Sequence, residues 1–192
     1  PGVHADDPLL DIPPGTRHVI RSGMVDGREV AFFSPDIQVP LAPFMGILAV
    51  APAPVVGEPG VTVPGVQSSR PPGSFGGNMD VKDLKAGTTL YLPVFHPGAL
   101  FYVGDPHSAQ GDGEVSGTAI ETSLGGTFQV ILHADRTLLW PRAETPTHYM
   151  SMGLDPDLDE AARMAPREMV RFLVEDKGME RGDAYILCSV AL

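Results

Sequence analysis

At 192 residues with 43% hydrophobic content, the chain is long enough to bury a full core as one compact unit. Thirteen lysines and arginines against 24 aspartates and glutamates leave a formal charge of −11, a field that repels phosphate backbones and anionic lipid and so argues against nucleic-acid and membrane partners. One cysteine excludes a disulfide framework, no apolar run approaches the roughly 20 residues that span a bilayer, and the opening PGVHADDPLL lacks the regions of a signal peptide, so a cytoplasmic location is expected.

Twenty-two glycines and 20 prolines are spread between apolar runs, the pattern of a β-rich domain with many turns. In TRHVIRSGMVDGREVAFFS, β-prone runs flank Gly23 and the Asp26–Gly27 pair, which predicts a hairpin. GILAVA, TTLYLPVF, ALFYVG, EVSGTAIET, TFQVILH and AYILCSV are further strand candidates. Cys188, inside the last of these, reads as a buried inert thiol. Between 51 and 77 the proline density forbids a regular central strand or helix and predicts an extended loop packed on the surface or beside a site. In DPDLDEAARMAPREMVRFLVEDKG, Asp157 or Asp159 caps a helix with Ala162, Met169, Leu173 and Val174 as its apolar stripe. Pro166 kinks or splits it, and Gly178 follows its end. The predicted fold is mostly β, a sandwich or barrel-like domain with one C-terminal amphipathic helix.

The stretch GDPHSAQGDGEVSGTAIET (104–122) places Asp105, His107, Asp112, Glu114 and Glu121 among small residues. In an extended strand, side chains two apart share a face, so Asp105 converges with His107, and Asp112 with Glu114 after the turn. Pro106 marks a strand end or bulge. Carboxylates packed without basic partners are splayed into water, share protons at raised pKa, or are held by a cation. Mixed imidazole and carboxylate ligation suits Zn, Mn or Fe(II), and a carboxylate-rich site also takes Ca.

A second cluster, GGNMDVKDL, alternates Asn78, Asp80 and Lys82 with Met79 and Val81, offering an amide, a carboxylate and an ammonium on one face of an extended segment. The P-loop, the G-x-G-x-x-G turn and the G-x-S-x-G elbow are all missing from the sequence, and Ser68–Ser69 lacks flanking glycines. Of the scattered histidines, only His96, beside Pro97 and Gly98, is a candidate to support the site.

With PFMGILAVAP (43–52), GGNMDVKDLKAGTTLYLPVFHPGALFYVGDPHSAQGDGEVSGTAIE (76–121) and, more loosely, the helix followed by DAYILCSVAL, the chain resembles the acetamidase/formamidase family from about residue 31 onward. The resemblance implies a mostly β fold with a few helices, a divalent metal site, homo-oligomeric assembly, and hydrolysis of short aliphatic amides to a carboxylate and ammonia. It matches Asn78 and Asp80 in GGNMD, and Asp105, His107, Gln110, Asp112 and Glu114 in GDPHSAQGDGE. It also implies that the family's N-terminal part has no counterpart here, and the chain opens on Pro1 rather than methionine.

Roles assigned by residue type give the metal, zinc or calcium, to Asp80, Asp105 and His107, the proton shuttle to Glu114, and oxyanion stabilisation to Lys82 or Asn78. Gln110, Phe75 and Gly77 are assigned to substrate binding, and Phe101 and Tyr102 to a tight, partly apolar pocket fit for a small neutral amide such as formamide or acetamide. Two alternatives stand beside this reading: a metal-binding sandwich that is not a hydrolase, such as a cupin-like oxygenase, and a degenerate, non-catalytic family member.

Overall fold

The computed structural model describes residues 2–7, 10–53, 61–63 and 66–192, which form two compact units. The first comprises Pro1–Leu48, Met79–Ala86 and Val103–Leu132. Its strands β1 (Gly2–Asp7) and β2 (Ile12–Val19) form an antiparallel ladder, and β3 (Arg21–Val25), β4 (Arg28–Ser34) and β5 (Ile37–Pro40) form an antiparallel meander. The predicted hairpin is β3–β4. Its two-residue turn, Asp26–Gly27, has φ of 48° and 77°, positive at both positions as a twist-matched hairpin requires. Ile20, Ala31, Ala109 and Ile120 form a buried cluster against which Val39 and Leu41 pack.

β6 (Phe44–Ala49), in this unit as far as Leu48, pairs with β11 (Tyr102–His107), in it from Val103 onward. Along β6, Phe44, Gly46 and Leu48 are buried at every second residue, so one face of the strand looks inward. Two strand expectations fail here. EVSGTAIET makes only one isolated bridge, Glu121 to His107, because glycines and turns interrupt it. TFQVILH has no ladder partner among the described residues and leaves Val130, Ile131 and Leu132 exposed.

The second unit comprises Ala49–Asn78, Gly87–Tyr102 and His133–Leu192. The proline-rich stretch carries a short ladder of β7 (Val61–Val63) and β8 (Val66–Gln67), so it is not wholly loop; residues 54–60, 64 and 65 lie outside the described residues. β9 (Gly76–Asn78) follows, and β12 (Arg142–Glu144) lies between β10 (Thr89–Tyr91) and β13 (Tyr149–Ser151). Ala49, Val50 and Phe75 form this unit's core with Leu92, Phe95, Ala99 and Tyr102 around them.

Helix α1 (Leu158–Glu175) starts where expected: the Asp157 carboxylate accepts from the backbone N–H groups of Asp159 and Glu160. It runs unbroken through Pro166, and Gly178, at φ 69°, follows its end. Its buried residues are Val170 and Phe172, whereas Ala162 of the expected stripe is exposed. The Phe172 ring lies under the Arg142 guanidinium, 5.0 Å from its centroid, and Asp176 accepts hydrogen bonds from Arg142 (2.9 Å) and Arg136 (2.5 Å). AYILCSV is not a strand but most of a second helix, α2 (Arg181–Ala191), since a short apolar run does not by itself separate the two states. Cys188 is accordingly half-buried on that helix. The fold is mostly β with two helices, and no described helix is long and apolar enough to cross a membrane.

Gly153 sets the approach of α1. A Cβ there would overlap the Ala161 carbonyl and stand 3.0 Å from the Ala165 backbone nitrogen. Gly153→Ala is expected to destabilise the fold by about 1–3 kcal/mol, the usual cost of overpacking. A lowered urea midpoint with an unchanged slope checks this; an unchanged midpoint counts against the contact.

Candidate metal centre and active site

The site is built in the first unit by four backbone segments. Behind it lies Gly46 in β6, whose carbonyl accepts the backbone N–H groups of Met79 (3.1 Å) and Asp80 (3.2 Å). Those bonds fold the chain after β9 and point Asp80 back over Gly46. The predicted alternation of Asn78, Asp80 and Lys82 along one extended face therefore does not occur: Asp80 has φ 49°, and Lys82 lies in a turn. In β11, Asp105 has φ 54° just before Pro106, which breaks the strand's alternation, yet Asp105 and His107 still converge. The backbone bridge between His107 and Glu121 brings in the third segment, and the turn after Gly111 brings Glu114, at φ 43°, as the fourth. Left-handed backbone at a non-glycine residue costs roughly 1–2 kcal/mol, so three acidic residues hold unfavourable conformations in one cluster.

One donor atom from each of Asp80, Asp105 and His107 lies within 4.8 Å of the others, and the same holds for His107, Glu114 and Glu121. His107, common to both sets, is only 1% exposed, with the Phe44 ring meeting it edge-on at 5.1 Å. Its Nδ1 lies 2.9 Å from Gln110 Oε1, and Nε2 stands 3.4 Å from Asp105 Oδ1 and 3.3 Å from Glu121 Oε2. Nε2 is buried and makes no hydrogen bond of acceptable geometry. Neighbouring ligands around a tetrahedral ion with bonds of about 2.0–2.1 Å stand about 3.3–3.4 Å apart, so these donors fit a cation.

Gly46 makes room for the cluster. A Cβ built on it would overlap an Asp80 carboxylate oxygen and lie 3.0 Å from Asp105 Oδ2. Burial, and next the charge of Asp105, raises the Asp80 pKa; burial, and next the charge of Asp80, raises that of Glu114.

Other sequence candidates are placed elsewhere. Asp112 does not pair with Glu114: its carboxylate is 88% exposed and meets Lys82 Nζ at 2.7 Å. That pairing also supplies a basic partner the sequence did not reveal, and it raises the Lys82 pKa. Gln110 turns to His107 and to the Asp80 carbonyl, to which its Nε2 donates at 2.6 Å. Phe75, Gly77 and Asn78 belong to the second unit. There Phe75 is a core residue, 4% exposed, and a Cβ added to Gly77, at φ 100°, would come within 3.0 Å of that ring. Phe101 and Tyr102 are also in this unit, with Tyr102 against its core. The His96 ring bonds the Pro52 carbonyl at 2.8 Å. Two residues that matter had no assigned role: Glu121, visible as another carboxylate beside the strand, and Gly46, whose only signal was its place in PFMGILAVAP.

The model of the acetamidase/formamidase family matches residues 61–192, most of the chain. The chain belongs to that family. Within the acetamidase/formamidase family it is similar to an acetamidase of Mycolicibacterium smegmatis, 46% identical over 46 residues (24% of this chain, 11% of that protein). A formamidase of Methylophilus methylotrophus is 44% identical over 46 residues, with the same coverage. Among solved structures it is similar to an acetamidase from Yersinia enterocolitica, with TM-score 0.75 and 34% identity over 93% of this chain and 50% of that one. An acetamidase from Bacillus halodurans gives TM-score 0.73 and 30% identity over 95% and 57%. The chain thus spans about half the length of these solved acetamidases.

Proposed function

We propose that this protein hydrolyses short aliphatic amides to a carboxylate and ammonia, with a divalent metal held by Asp80, Asp105 and His107. The reading rests above all on the buried His107 Nε2, faced by carboxylates and without a hydrogen bond, in a chain of this family. A metal supplies Lewis acidity, polarising a carbonyl and making water a stronger nucleophile. Glu114, whose carboxyl is pushed toward its protonated form, takes a proton from the attacking water and returns it to nitrogen as the C–N bond breaks. Oxyanion stabilisation by Asn78 or Lys82 rests on residue type alone, and Lys82 must release Asp112 to take part. Glu121 Oε2, 3.3 Å from Nε2, is a further acidic partner of the imidazole.

An imidazole in the donor set favours zinc over calcium, which takes oxygen ligands. Formamide and acetamide differ by one methyl group, worth only about 1–3 kcal/mol in an apolar pocket, so both are assigned as substrates. Homo-oligomeric assembly and a cytoplasmic location belong to the same reading. The test is ammonia release from formamide, acetamide and propionamide by the 192-residue chain, before and after chelation. Turnover is expected to vanish on chelation, to return with Zn²⁺ and not to return with Ca²⁺. A folded, zinc-loaded chain releasing no ammonia would favour the inert family member instead.

A further inference from the structure

We infer that Gln110 is a positioning residue that fixes the tautomer of His107, so that Nε2 is the ring nitrogen left to take a cation. The inference deepens the proposed metal site and rests on it only for its consequence. Gln110 is held at both ends of its amide. Its Nε2 lies 2.6 Å from the backbone carbonyl of Asp80, a group that only accepts, so that end must be the NH₂. The oxygen Oε1 therefore faces His107 Nδ1, 2.9 Å away, and Nδ1 must carry the proton. Turning the amide over would set two carbonyl oxygens against each other at hydrogen-bond distance.

A neutral imidazole carries one proton, so with Nδ1–H fixed the lone pair belongs to Nε2, the atom that faces Asp105 and Glu121. Left alone, those two carboxylates would favour the opposite tautomer, since each could accept a hydrogen bond from an Nε2–H. Gln110 opposes that preference, and the 1% exposure of His107 keeps bulk water from replacing it at Nδ1. The same amide reaches two of the three proposed ligands, Asp80 through its backbone and His107 through its ring. Orienting partners of this kind are worth about 10–100-fold in metal affinity.

The experiment is two-bond ¹H–¹⁵N correlation, which reads the protonated ring nitrogen directly, on chelated protein with labelled histidine. It is paired with Zn²⁺ titration by calorimetry. Wild type is expected to show His107 as the Nδ1–H tautomer. Gln110→Leu, which removes the acceptor, is expected to shift the ring toward Nε2–H and weaken Zn²⁺ binding about 10–100-fold. Gln110→Glu keeps an acceptor oxygen and is expected to retain Nδ1–H. A wild-type ring protonated on Nε2 would overturn the inference, as would Gln110→Leu with tautomer and Zn²⁺ affinity unchanged. An Nδ1–H ring in a wild-type protein that binds no Zn²⁺ would support the role of Gln110 while overturning the metal site, so the two failures are told apart.

Discussion

Glu114→Gln is expected to lower kcat on formamide and acetamide by about 10²–10⁴-fold, the range that a positioned general acid–base supplies. Metal content and KM are expected to stay near wild type. Glutamine keeps the size and polarity of the side chain but carries no exchangeable acid proton, so the variant isolates proton transfer from shape. The position suits a proton shuttle, because Glu114 lies within reach of the His107 ring. Burial among carboxylates also raises its pKa, bringing it closer to the pH at which it must both take and give a proton. Ammonia release measured beside metal analysis decides the matter. Turnover within a few fold of wild type, with the metal still bound, would remove Glu114 from the shuttle role.

Gly46→Ala is expected to be nearly as damaging, although Gly46 offers no side chain. The added Cβ would displace the carboxylates of both Asp80 and Asp105. Misplacing reacting groups by about 1 Å costs on the order of 10²-fold in rate, so kcat/KM should fall at least that far, with weaker Zn²⁺ binding beside it. Gly46 is not among the positive-φ glycines, so alanine meets no backbone strain of its own there. Calorimetric Zn²⁺ titration and a urea curve separate the causes. Normal Zn²⁺ affinity in Gly46→Ala would mean that the cluster tolerates the shift and that the glycine serves packing alone.

The legible parts of the fold were those governed by local chemistry. Asp26–Gly27 specified its turn by backbone preference, and Asp157 capped α1 through its own carboxylate, so neither needed distant information. AYILCSV and TFQVILH misled because β propensity describes a half-buried surface, and whether such a surface finds a partner is a tertiary matter. At the candidate site, Asp80, Asp105, His107 and Glu114 stood out in the sequence because their residue types are costly to crowd together, and the fold does crowd them. Their geometry was reached by a different route than simple strand alternation, since Asp80, Asp105 and Glu114 adopt left-handed backbone. Glu121 joined through the bridge to His107, and Asp112 left through Lys82, both decided by contacts across the fold.

The left-handed backbone at Asp80, Asp105 and Glu114 bears on how this protein would respond to selection. Glycine relaxes such a position without strain, and removing a crowded carboxylate relieves repulsion as well. A library screened for heat resistance alone would drift toward neutral, flexible residues at these three codons, and under the proposed function its survivors would be hardier and poorer at holding a metal. Durability and reactivity pull against each other at the same places, so any programme to harden this protein has to hold those codons fixed and look for its gains elsewhere.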